Sequence, residues 1–100
     1  MSSETLHIPR EALSREGRLL HYAVTSLKEE LEALDWYRQR AEDCEDRALK
    51  DVLLHNMQEE MEHAAMLIEW LRRNNADFAT HLKTYLFTEA PIVGIEQTAP

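Results

Sequence analysis

Three residues in this 100-residue chain have the types and spacing of metal ligands. Glu60-Met61-Glu62-His63 is a Glu-x-x-His step, which on a helix sets a carboxylate and an imidazole one turn apart on the same face. Glu30 is a lone carboxylate far upstream of that step. Carboxylate-bridged dinuclear metal centres in four-helix bundles take a Glu from each of two helices and a Glu-x-x-His from each of the other two. This chain holds one copy of each element. A complete centre therefore needs two chains, with the metals at a two-fold interface.

The elements that must position these ligands are helices. From about Ala12, apolar residues fall at Leu20, Val24, Leu27, Leu31 and Leu34, with Tyr37 and Ala41 continuing the stripe. Steps of three and four mark an amphipathic helix. Gly17 weakens its first turns and is a candidate break between a short leading segment and the main helix. Glu42-Asp43-Cys44-Glu45-Asp46 is the expected turn, since Asp is a good N-cap and acids suit the start of the next helix. A second stripe runs through Leu49, Leu53, Met57, Ala64, Leu67 and Leu71, ending near Asn74-Asn75, where Asn tolerates a left-handed C-terminus. Ala76 to Phe87 reads as a short third helix capped by Asp77, and Pro91 stops it. The expected fold is all-α: an antiparallel two-helix hairpin plus a short C-terminal helix, in one domain over residues 1–92. Residues 1–9 read as a loose arm and 93–100 as a flexible C-terminal tail.

The hairpin brings the candidate ligands level. With the turn near residue 45, Glu30 and Glu60 each stand about 22 Å from it at 1.5 Å per residue. Glu30 lies in the stripe Leu27–Leu31–Leu34, and Glu60 and His63 lie in Met57–Ala64–Leu67. Carboxylates that interrupt apolar seams are costly unless paired, protonated or bound to a cation. Two Glu30 and two Glu60 in one interface would be offset by two divalent cations, with neutral imidazoles completing the shell. Such ligands suit Fe(II), Mn(II) or Zn(II) alike. The plainer alternative is that each stripe Glu pairs with an Arg or Tyr across a helix interface.

Composition narrows the function classes. With 11 Lys and Arg against 19 Asp and Glu the net charge is −8, which argues against nucleic acid and anionic lipid as partners. Cys44 is the sole cysteine, so there is no intrachain disulfide and no cysteine-type zinc site. No run is long and apolar enough to span a membrane, and the first residues lack a signal-peptide core. These features point to a cytoplasmic protein.

Longer motifs carry a family resemblance. Glu29-Glu30-Leu31-Glu32-Ala33-Leu34-Asp35-Trp36-Tyr37 resembles the first-helix motif of the encapsulated ferritins, and His55-Asn56-Met57-Gln58-Glu59-Glu60-Met61-Glu62-His63-Ala64-Ala65-Met66 resembles their second. Glu69-Trp70-Leu71-Arg72-Arg73-Asn74 and Tyr85-Leu86-Phe87-Thr88-Glu89-Ala90-Pro91-Ile92 resemble the family's segments after that second motif. The resemblance covers roughly residues 20–92. It implies two-helix subunits that dimerise into a ferritin-like four-helix bundle and close into a ring, a homodecamer. It also implies residence inside an encapsulin nanocompartment, Fe(II) oxidation with O2, and iron storage with the encapsulin shell protein as partner. Glu30, Glu60 and His63 of two subunits would form the ferroxidase centre, with two Fe(II)/Fe(III) per dimer interface. Other divalent metals could substitute. Tyr37 would be a close neighbour of the centre.

The same resemblance implies an outer metal-attraction site at Glu29, Glu32 and Trp36, whose spacing places them on one helical face. A solvated acidic face, with Trp36 as an interface anchor, is the alternative. Met61 stands where the family pattern has a charged residue, and Ile92–Pro100 shows no encapsulin-targeting segment. His55 is either a transit ligand or a surface or core histidine. Two rival functions stay open: a rubrerythrin-like di-metal peroxidase, and a non-enzymatic helical interaction module.

Overall fold

The computed structural model describes residues 6–98, and among these all regular structure is helical. A single 3-10 turn, Arg10–Ala12, precedes α1 (Arg15–Asp43) and α2 (Arg47–Asn74). Two shorter helices complete the order, α3 (Ala76–Tyr85) and α4 (Ile92–Thr98). The chain gathers into two compact units, one reaching to Ile68 and one beginning at Glu69. The expected arm, residues 1–9, lies partly outside the described residues, as do 99 and 100 of the expected tail.

Local side-chain chemistry sets where the helices start. Ser14, not Gly17, marks the break before α1: it is extended, and its hydroxyl accepts from the Gly17 backbone N–H at 2.9 Å. Gly17 sits inside the first turn, where an added Cβ would come within 3.2 Å of Ser14 Oγ. At the hairpin turn, Asp46 caps α2 by accepting from the Leu49 N–H at 2.9 Å, as its acidic sequence implied. The Cys44 thiol donates to the Asp46 carbonyl at 3.4 Å.

The end of α2 differs from expectation in its cause. Asn75 is extended, with φ −141° and ψ 109°, rather than left-handed. It is the N-cap of α3, its side chain accepting from the Phe78 N–H at 2.8 Å. It therefore takes the role expected of Asp77, which lies in the first turn of α3. Residues 93–98 of the expected tail belong to α4, which packs against α3.

In the first unit the buried apolar residues are small: Ala23, Ala41 and Ala64. Alanines let two helix backbones approach closely but contribute little buried area. Larger apolar residues of α1 and α2 remain about half exposed, among them Val24, Leu31, Trp36 and Val52. In the second unit Leu71 is fully buried.

Candidate metal centre

Glu30 rises from the middle of α1, and Glu60 and His63 from the facing stretch of α2. His63 Nδ1 stands 2.8 Å from Glu30 Oε1, a contact between residues 33 apart in sequence. An ionised carboxylate only accepts, so Nδ1 carries the proton and donates to Glu30. Glu60 Oε2 is 3.8 Å from the same nitrogen. One ligand atom from each of the three residues fits within 4.8 Å of the others. Metal–ligand bonds of ~2.1 Å hold opposite donor atoms about 4.2 Å apart, so the cluster has nearly the span of a coordination shell.

Burial and charge perturb the trio's titration. The side chains of Glu30 and Glu60 are only 22% and 20% exposed, against 45% for His63. A hydrogen bond with Glu30 pushes the Glu60 carboxyl above the ordinary carboxylate range, helped by burial and the Glu30 charge and opposed by His63. Two neighbouring carboxylates hold one proton more tightly than either alone. The hydrogen bond to Glu30 likewise raises the His63 imidazole, with the charges of Glu30, Glu60 and Glu59 adding and desolvation opposing. Two carboxylates and an imidazole are a hard and borderline donor set that fits iron, manganese or zinc. Three donors leave a divalent ion of this type short of its usual coordination number.

The remaining candidates are placed differently. Tyr37 lies two turns along α1 from Glu30, half-buried, with the Arg40 guanidinium 5.6 Å from its ring centre. Glu29, Glu32 and Trp36 each border a different hollow. Glu29 lies beside Arg10 and His21, Glu32 beside Leu31 and Asp35, and Trp36 beside Gln39 and Arg40. His55 is exposed and outside both ligand groupings found among the described residues. The second grouping, Glu59, Glu62 and His63, is fully on the exposed side and shares its histidine with the first. The i, i+3, i+4 spacing of those residues was the sequence signal for it.

Fold and ligand cluster together define an all-helical, ferritin-like protein. The chain matches the EncFtn-like family over residues 5–89 and belongs to it. It is 55% identical over 95 residues to the encapsulated ferritin-like protein of Rhodospirillum rubrum, spanning 95% of this chain and 68% of that one. It is 47% identical over 95 residues to the ferritin-like protein of Thermotoga maritima, spanning 95% and 83% respectively. A crystal structure of a protein from Nitrosomonas europaea has the same fold, with a TM-score of 0.86 and 52% identity over 89% of this chain and 98% of that one. Membership supports a ferritin-like, iron-related role. No helix among the described residues is long and apolar enough to cross a membrane.

Proposed function

We propose that the protein is a ferroxidase whose centre is completed by a second copy of the chain. The observation that carries this reading is the Glu30–Glu60–His63 cluster, a partly buried half-shell with two acids in contact. Pairing two copies across a two-fold axis doubles the donors to four carboxylates and two imidazoles, as in the carboxylate-bridged bundles. The half-exposed apolar residues of α1 and α2 support such pairing, because a lone hairpin leaves them in water.

Iron is the substrate. Each Fe(II) gives up one electron to O2 and leaves as Fe(III). The chain's residues bind and neutralise: a cation would displace any proton held by Glu60, and His63 Nδ1 would exchange its proton for the metal or turn to present its other nitrogen. Glu60 would hold ions at the interface, while Glu30 and His63 would fix their geometry. Tyr37, two turns along α1 from Glu30, would be a neighbour of the centre. Glu29, Glu32 and Trp36, with the net charge of −8, would draw cations inward along α1. Other divalent metals would compete for the same ligands.

The name of the Rhodospirillum rubrum relative supports a setting inside an encapsulin nanocompartment. There oxidised iron would pass to storage in a shell, with the dimers built into a ring. Aerobic oxidation of Fe(II), followed by ultraviolet absorbance, tests the activity. Wild-type protein should exceed the buffer rate, and Glu30→Ala and His63→Ala should fall to it with helicity unchanged. Equal rates in all three would remove the assignment. Faster turnover with H2O2 than with O2 would favour the peroxidase reading.

A further inference from the structure

A hollow beside the first turns of α1 carries polar groups that the proposed centre does not use. Its volume is about 460 Å³, and Arg10, His21, Tyr22, Thr25, Ser26 and Glu29 line it. Arg10 comes from the 3-10 turn, and its guanidinium donates to the Tyr22 hydroxyl at 3.0 Å. Tyr22, Ser26 and Glu29 follow steps of four and three, so they share one face of α1. The cations at this end differ from those elsewhere. Arg38, Arg47, Arg72 and Arg73 are all paired with carboxylates. Arg10, Arg15 and Arg18 have no ion pair among the described residues. Glu29 borders the same hollow but stands two turns from Tyr22, about 10 Å by helical rise, and leaves Arg10 unneutralised. The local field is positive: the Arg10 hydrogen bond, then the Arg10 and Arg18 charges, hold the Tyr22 phenol below its ordinary value, with desolvation opposing.

We infer that this hollow binds a small organic oxyanion, a phosphate ester or a carboxylate, with its charged head at Arg10, Tyr22 and Ser26. A guanidinium has five N–H donors. The bond to Tyr22 uses one of them and fixes the position of the group, which leaves a forked donor of the kind that charged oxygens take. Tyr22 accepts from Arg10, so its own O–H remains to donate. Ser26, one turn on, brings a second hydroxyl, and His21 an imidazole. The volume exceeds that of a bare ion and falls in the range of small-molecule sites, so the anion is an organic one. Glu29 repels a negative head and keeps it at the Arg10 end. The net charge of −8 opposes diffuse attraction of anions, so saturable binding has to come from this local arrangement. Arg10, Tyr22 and Ser26 lie outside the Glu30–Glu60–His63 cluster, and the site stands independently of the ferroxidase reading.

Titration calorimetry on the full metal-free chain, at low ionic strength in a buffer without phosphate or carboxylate, tests this with glycerol phosphate and citrate as probes. At least one probe should bind saturably, one molecule per chain, and the tighter of the two decides between phosphate ester and carboxylate. Arg10→Gln should weaken that probe roughly tenfold or more, as loss of a hydrogen bond to a charged group does, and Tyr22→Phe should weaken it too. Glu29→Gln should tighten it several-fold, because a like charge leaves the hollow. This opposite sign keeps the test decisive if the Arg10 change also loosens the leading turn. Arg15 does not line the hollow, so Arg15→Gln should have far less effect than Arg10→Gln. No saturable binding of either probe, equal weakening by the two arginine changes, or weaker binding in Glu29→Gln would overturn the inference. Iron uptake is read separately and should be unchanged in Arg10→Gln. A wild-type chain that binds the anion but takes up no metal would count against the ferroxidase reading and leave the oxyanion site standing.

Discussion

His63 Nδ1 and Glu30 Oε1 meet at 2.8 Å across the hairpin, with Glu60 3.8 Å from the same nitrogen. The Glu30 hydrogen bond also raises the Glu60 carboxyl, so a proton is held more tightly there than on an isolated carboxylate. A cation that replaces the protons uses the same atoms, so metal affinity and protonation are linked.

Changing Glu30 to Gln keeps a hydrogen-bonding group but removes one charge. Glu60 then loses its main perturbing neighbour. The metal-free variant should be at least as stable as wild type at neutral pH. Its Fe(II) or Mn(II) affinity should fall by more than the ~10–100-fold that loss of a supporting partner costs. Calorimetric titration checks the affinity and urea unfolding the stability.

The pH dependence of the metal-free protein has a definite sign. Both Glu60 and His63 are raised, so the folded chain binds more protons than the unfolded one between each ordinary value and each raised value. Stability contributed by these groups is full below the ordinary value and is lost as pH rises through the raised one. Thermal unfolding should show falling stability just above the ordinary carboxylate value and again above the ordinary imidazole value. Saturating divalent metal should reverse the trend, since binding strengthens as protons leave.

Glu69 behaves oppositely. Hydrogen bonds from Arg72 and Arg73 lower its carboxyl to about 2. Its contribution is present above the ordinary carboxylate value and is lost as pH falls through about 2. The pair is exposed, so Glu69→Gln should have a small effect at neutral pH that shrinks further in high salt.

Two substitutions separate the caps of α3. Asn75→Ala removes the acceptor for the Phe78 N–H and should cost ~1 kcal/mol in chemical unfolding. Asp77→Ala should cost less, because it removes only a first-turn charge.

Leu71 is the one large side chain fully buried among the described residues. Leu71→Ala should cost about 2–5 kcal/mol by urea unfolding. Met66→Ala, at a 60% exposed position on the same helix, should be close to neutral.

The hairpin and the meeting of Glu30 with His63 were legible because they rest on local rules. Apolar steps of three and four gave α1 and α2, Asp46 capped where an acidic turn predicted, and equal distances from that turn set Glu30 level with Glu60. The rest lacked such signals. Asn75 and Asp77 are both good caps, and only backbone geometry chooses between them. The seven residues of α4 contain Gly94 and are too short for a periodic stripe. Glu59 and Glu62 sit on an exposed acidic face, where ligands and solvated charges look alike. Glu29, Glu32 and Trp36 share a helical face in sequence, yet in the single chain they border separate hollows.

The most direct measurement is an anaerobic Fe(II) titration of metal-free protein, then a pulse of O2, with absorbance and light scattering recorded together. A shared centre predicts saturation near two irons per two chains, a metal-linked rise in mass, and rapid oxidation on the pulse. Uptake of one iron per isolated chain with no change in mass, or oxidation no faster than in buffer, would contradict it.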